Sequence, residues 1–116
     1  MKIRQIQELL DATLIVGEDT LDNDVHSACG SDMMSDVLAY VKDQAVLLTG
    51  LVNAQVIRTA QMMDMICIVF VRSKNPTDDM VALAEEAGIT LMSTSKRMYE
   101  ACGVLYEAGL GKGAAV

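Results

Sequence analysis

Small hydroxyl-bearing residues and glycines recur in this chain wherever an apolar run gives way to a helical pattern. Residues 46–60, VLLTGLVNAQVIRTA, show the arrangement: the apolar run stops at Thr49-Gly50, and a helical pattern opens at Asn53. A strand that turns through Thr-Gly into a helix presents backbone N–H groups, which suit an anion. The same turn is an ordinary strand–helix connection, so the spacing leaves both readings open. Comparable residues close the other apolar runs: Ser27, Gly30, Ser31 and Asp32 at one, Arg72 and Ser73 at another, Ser93 and Thr94 at the last. In open α/β sheets ligands collect outside the carboxyl ends of the strands. Ser27, Gly30, Ser31, Asp32, Thr49, Gly50, Asn53, Arg72, Ser93 and Thr94 are therefore the candidate ligand-binding residues. Hydroxyls and backbone amides would do the recognising, with Arg72 as the nearby counter-charge.

Equipment for catalysis is sparse. His26 is the single histidine, and His26 or Cys29 beside Asp32 could supply a base or a thiolate. Nothing else assembles around them, and no residue is assigned a catalytic role. Glu18, Asp19, Asp22 and Asp24 lack the central glycine and the closing bidentate glutamate of a calcium loop, and read as a solvated turn. GLGKG at 109–113 lacks P-loop spacing and has no helix after it. Cys29, Cys67 and Cys102 are odd in number, far apart and without a C-x-x-C, which argues against a disulfide framework or a zinc site. Cys67 lies in the most apolar segment and reads as a small core residue. Neither metal nor cofactor is expected.

These residues must be held by something. At 116 residues the chain is one domain, 1–116, long enough for a single core. It is 52% apolar with a mean hydropathy of +0.30. No stretch reaches the ~18 consecutive apolar residues of a membrane span. The start, MKIRQIQELLDA, spreads its charges and has no small-residue cleavage site, so it does not read as a signal peptide and a cytoplasmic location is expected. Nine basic against sixteen acidic residues give a net charge of −7. With no basic stripe and few aromatics, neither nucleic acid nor an anionic membrane is an expected partner.

Ile3, Ile6, Leu9 and Leu10 give a short amphipathic helix. Strands are expected over 12–16, 25–29, 45–49, 65–71 and 89–93. Too few residues separate the first two for a parallel crossover, so the sheet should be mixed. Ser31 or Asp32 can cap a helix whose apolar positions are Met33, Met34, Val37, Leu38 and Val41. Asn53 caps the next, with Val52 and Ile57 as a staple. Pro76-Thr77 opens another, carrying Asp78 and Asp79 in its first turn and Gly88 at its left-handed end. Met98, Ala101, Cys102 and Leu105 define the last helix, and the tail from 110 to 116 is expected to fray. The central strands are apolar nearly throughout, the pattern of strands covered on both faces. Strand–helix alternation around such strands predicts a three-layer α/β/α sandwich with a mixed, mostly parallel sheet.

SACGSDMMSDVL at 27–38, LLTG at 47–50, LAEEAGITLMST at 83–94 and MYEA at 98–101 together resemble the DRTGG domain family. That family is related to the N-terminal domain of HPr kinase/phosphorylase and, more distantly, to uridine-nucleotide-binding domains of muramyl ligases. The resemblance runs over roughly residues 12–108, in order and spacing; the pentapeptide Asp-Arg-Thr-Gly-Gly does not occur. It implies a fold like that kinase's N-terminal domain and a homodimer. It also implies a regulatory role beside other modules, and no kinase activity, since that belongs to a separate P-loop domain. Three functions follow. A regulatory module binding a small anionic molecule, such as a nucleotide or another phosphorylated metabolite, leads. The alternative is a protein-interaction subunit or homodimerisation module of a larger metabolic or redox complex, suggested by nine methionines. Catalysis comes last.

Overall fold

Five strands alternate with helices along the chain in the computed structural model, which describes residues 1–40 and 44–111. In order they are α1 (Ile3–Leu10), β1 (Thr13–Val16), a 3-10 turn (Glu18–Thr20), β2 (Ser27–Gly30), α2 (Met34–Tyr40), β3 (Ala45–Thr49), α3 (Ala54–Met62), β4 (Cys67–Phe70), α4 (Asp78–Ala87), β5 (Thr90–Ser93) and α5 (Met98–Glu107). The sheet order is β1-β5-β4-β3-β2. Strands β2 to β5 run parallel, and β1 lies antiparallel to β5. The first two strands are therefore no pair at all: they occupy opposite edges, which is how the short connection between them is reconciled with a parallel core.

Every residue of β3 and β4 is buried. Because strand side chains alternate between faces, these runs feed two cores. Val46, Leu48, Cys67, Val69 and Met92 pack with Ile3, Ile6 and Leu10 of α1 and Ala101 and Leu105 of α5. Leu47, Ile68, Phe70 and Leu91 pack with Val37 of α2, Val56, Ile57 and Ala60 of α3, and Met80 and Ala84 of α4. The domain is a three-layer α/β/α sandwich with a mixed, mostly parallel sheet.

Local chemistry sets the helix ends. The Thr77 side chain accepts from the Met80 N–H at 3.3 Å, and Gly88 closes α4 at φ 73°. Asn53 occupies the position before α3 without a side-chain capping bond. Ser31 and Asp32 do not cap α2 as expected: the Ser31 hydroxyl accepts from the Met33 N–H at 3.0 Å, and Asp32 turns across the sheet. Strands β1, β4 and β5 are shorter than expected, and β2 starts two residues later and ends one residue later. Val25 leaves the sheet and donates its N–H to the Met1 carbonyl at 2.6 Å. Leu9 and Leu38, expected in the core, are exposed, while Leu110, expected in a frayed tail, is buried against the α1–α5 core. Val41 and residues 112–116 lie outside the described residues.

One buried polar group ties the layers together. Thr94 is 2% exposed; its hydroxyl donates to the Leu10 carbonyl at 2.7 Å and accepts from the Lys96 N–H at 3.2 Å. Thr94→Val keeps the shape and removes both bonds, so urea denaturation should show a loss of ~1–3 kcal/mol.

Candidate functional site

Because β2, β3, β4 and β5 run parallel, their carboxyl ends share one rim. Asp32 stands two residues beyond β2, Gly50 one beyond β3, and Arg72 two beyond β4. One oxygen of the Asp32 carboxylate accepts from the Gly50 N–H at 2.7 Å and from the Thr49 hydroxyl at 3.1 Å. The other lies 3.6 Å from an Arg72 guanidinium nitrogen. Thr49 is buried, and its oxygen also accepts from the Leu51 N–H at 3.1 Å, which fixes the hydroxyl toward Asp32. An amide, a hydroxyl and a guanidinium thus converge on a carboxylate.

Arg72 owes its position to its backbone. Arg72 and Ser73 take left-handed φ values of 58° and 57°, uncommon for residues other than glycine. The Arg72 N–H donates to the Lys96 carbonyl at 2.8 Å and the Ser73 N–H to the Thr94 carbonyl at 2.9 Å, holding that turn against the loop after β5. The Arg72 guanidinium then lies directly over Gly50, where any Cβ would collide with it. Glycine at 50 is a condition for the cluster to close.

The structure brings together Asp32, Thr49, Gly50 and Arg72, with Ser31 beside them and Asn53 opening α3 at the same rim. Ser27 pairs with Ala45, at the opposite end of the sheet. Thr94 points into the core toward Leu10, and the Ser93 hydroxyl donates to the Lys74 carbonyl at 2.6 Å, bracing the loop after β4. Gly30 serves packing: a Cβ there would come 2.5 Å from the Cys102 sulfur and 3.2 Å from that of Met98. The carbonyls of Lys96 and Thr94 that seat Arg72 were not among the candidates, since a backbone acceptor leaves no side-chain signal.

The candidate acid–base and thiol groups do not join this cluster. His26 lies before β2, at the end remote from Asp32, with its backbone N–H donated to the Gln44 carbonyl at 3.0 Å. Burial pushes the Cys29 thiol up from its ordinary value, assisted by Cys102 and Asp36. Burial alone raises Cys67 and Cys102. All three are therefore moved away from the thiolate form that nucleophilic or metal chemistry uses. Asp22 and Asp24 pair with Arg4 and Lys2 at 3.2 and 3.5 Å. Among the described residues no group of three or more His, Cys, Asp or Glu side chains could hold a metal ion, and no helix is long and apolar enough to cross a membrane. Concavities of about 560 and 450 Å³ open at the opposite rim, one against Gly17 and Ile89, the other against Val25 and His26.

The family described as the DRTGG domain matches residues 5–108. Among solved structures, the chain is similar to the CBS and DRTGG domains of the regulatory region of Clostridium perfringens pyrophosphatase, complexed with an activator, diadenosine tetraphosphate. The TM-score is 0.72 at 12% identity, covering 97% of this chain and 49% of that one, so this chain spans about half the length of that structure. At that identity the likeness is one of fold. No curated protein matches the chain.

The fully buried Cys67 makes a pH test of the core. Its thiol is raised above the ordinary 9.0, so the unfolded chain ionises first as pH climbs. Stability from this group is fully present below the ordinary thiol value and falls above it, by up to ~1.4 kcal/mol per pH unit. Urea midpoints measured from neutral to alkaline pH should therefore drop more steeply in the native sequence than in Cys67→Ala.

Proposed function

This chain belongs to the DRTGG domain family, and on that premise we propose that it is a regulatory domain without catalysis of its own. It binds a small anionic molecule, a nucleotide or another phosphorylated metabolite, at the strand-end rim. The carrying observation is the Asp32 carboxylate, held by the Gly50 N–H, the Thr49 hydroxyl and the Arg72 guanidinium. Those are the donor types that recognise phosphate and carboxylate oxygens. Asp32 acts as an internal stand-in, and the ligand's anionic group replaces it. The exchange is easy because the Asp32 and Arg72 side chains are each 47% exposed, so the displaced carboxylate returns to water. A net charge of −7 repels anions at long range, so short-range donors have to carry the recognition. A nucleotide is supported by the pyrophosphatase regulatory region of similar fold, whose activator is diadenosine tetraphosphate.

Exposed apolar side chains favour a second reading, a protein-interaction subunit without a metabolite: Met33 is 61%, Met62 70% and Tyr99 93% exposed. A stoichiometric protein partner in a pull-down, together with indifference to every metabolite, would select it.

Calorimetry and thermal shift with a panel of nucleotides and phosphorylated metabolites, diadenosine tetraphosphate included, test the first reading. Asp32→Asn, which removes the competing charge, should bind the active compound about tenfold more tightly, a gain of ~1.4 kcal/mol. Gly50→Ala should lose binding with little change in melting temperature, because the added methyl displaces only the exposed Arg72 side chain. Failure of every compound against both the native chain and Asp32→Asn would end this reading.

A further inference from the structure

Strand β1 is an edge: β5 pairs with it on one side and, among the described residues, no strand on the other. Edge strands are usually blunted by a lysine, a proline or a covering element. The β1 sequence Thr-Leu-Ile-Val has neither lysine nor proline, and Leu14, Ile15 and Val16 remain only half-buried. Beside it opens the concavity of about 560 Å³, between β1, the 3-10 turn and the end of α4. Ile15, Val16 and Ile89 give it apolar walls; Glu18, Asp19 and Glu85 give it charge, and no Lys, Arg or His lines it. The carboxyl end of α4, whose last turn contains no basic residue, adds the negative pole of a helix. This groove lies at the opposite rim from Asp32, and nothing in the regulatory reading uses it.

We infer that this groove docks an extended, basic segment of a partner protein, laid alongside β1 with apolar side chains on Ile15 and Val16 and cationic ones on Glu18, Asp19 and Glu85. Charge complementarity selects this occupant. Strand addition supplies main-chain bonds, and alternate side chains supply specificity. The ladder of β1 on β5 shifts register between Leu14 and Val16, so the regular stretch of edge is short. Main-chain pairing over so few residues is weak alone, and the acidic rim has to contribute both attraction and choice of partner. The chain's overall −7 steers a basic segment toward it.

The probe is a short labelled peptide of alternating lysine and valine, titrated into the full chain by fluorescence anisotropy, with a glutamate–valine peptide as its opposite. Saturable one-to-one binding of the lysine peptide is expected, with amide shifts in two-dimensional NMR confined to residues 13–20 and 84–89. Glu18→Lys combined with Glu85→Lys should weaken it about tenfold or more. Glu8→Lys combined with Glu107→Lys, which makes the same change in net charge on α1 and α5, should leave it within about twofold. Absence of saturable binding, equal binding of the glutamate peptide, equal weakening by both double variants, or shifts mapping elsewhere would overturn the inference.

Discussion

Burial of β3 and β4 on both faces is the constraint on which the remaining structure depends. Each of their residues is inaccessible to water, so each side chain must be apolar or satisfied where it stands. A strand of that kind cannot carry a functional polar group in its middle. It can carry one only where the chain leaves the sheet, and Thr49, buried at the last position of β3, sits at that limit. Parallel strands then do the gathering. With β2 to β5 pointing the same way, residues leaving their carboxyl ends emerge side by side, and Asp32, Gly50 and Arg72 meet across three strands although 40 positions separate the first from the last.

The meeting contributes little to stability. Asp32 and Arg72 are about half exposed, and an ion pair in that setting is worth ~0–1 kcal/mol. The turn that presents Arg72 is itself strained: left-handed conformations at non-glycine residues cost about 1–3 kcal/mol each. Two backbone bonds, to the Lys96 and Thr94 carbonyls, offset that strain. From there the hydrogen bonds continue inward, Lys96 N–H to the Thr94 hydroxyl and Thr94 hydroxyl to the Leu10 carbonyl at the end of α1. The arginine is thus seated on a rigid foundation while its own tip stays in solvent, an arrangement that serves contact with something outside better than it serves the fold.

What the residues disclosed in advance, and what they withheld, follows the range of the interactions involved. Segment 45–49 is apolar up to its closing threonine and became β3 with the same ends, and Gly88 took the left-handed conformation its place after α4 required. Thr49 and Gly50 announced themselves because a strand-to-helix turn is written in neighbouring residues. Asp32 was legible as a strand-end polar residue that could cap a helix or line a rim, but its partners lie on another strand and beyond a third, so the cluster they form was not. Ser27 and Thr94 show the same limit from the other side. Each is a small hydroxyl residue near a strand end, yet a register places Ser27 at the far edge and a long-range bond turns Thr94 inward. The edge positions of β1 and β2 were likewise hidden, because sheet order is decided by pairing and not by either strand alone.

The same parallel order that gathers the polar residues also separates charge between the two ends of the molecule. A helix following each parallel strand begins at the carboxyl rim and runs back, so α3 and α4 direct their amino ends toward Asp32, Gly50 and Arg72 and their carboxyl ends away. Aligned peptide dipoles place partial positive charge at the first rim and partial negative charge at the second. Side chains follow this division only in part, since Asp78 and Asp79 stand in the first turn of α4. At the first rim Arg72 and the Gly50 N–H meet the Asp32 carboxylate; the groove at the second carries Glu18, Asp19 and Glu85 with no base. A chain of net −7 is therefore not uniformly repellent to anions. On the reading proposed above, one end meets an anionic group with donors at short range and the groove at the other receives a cationic segment.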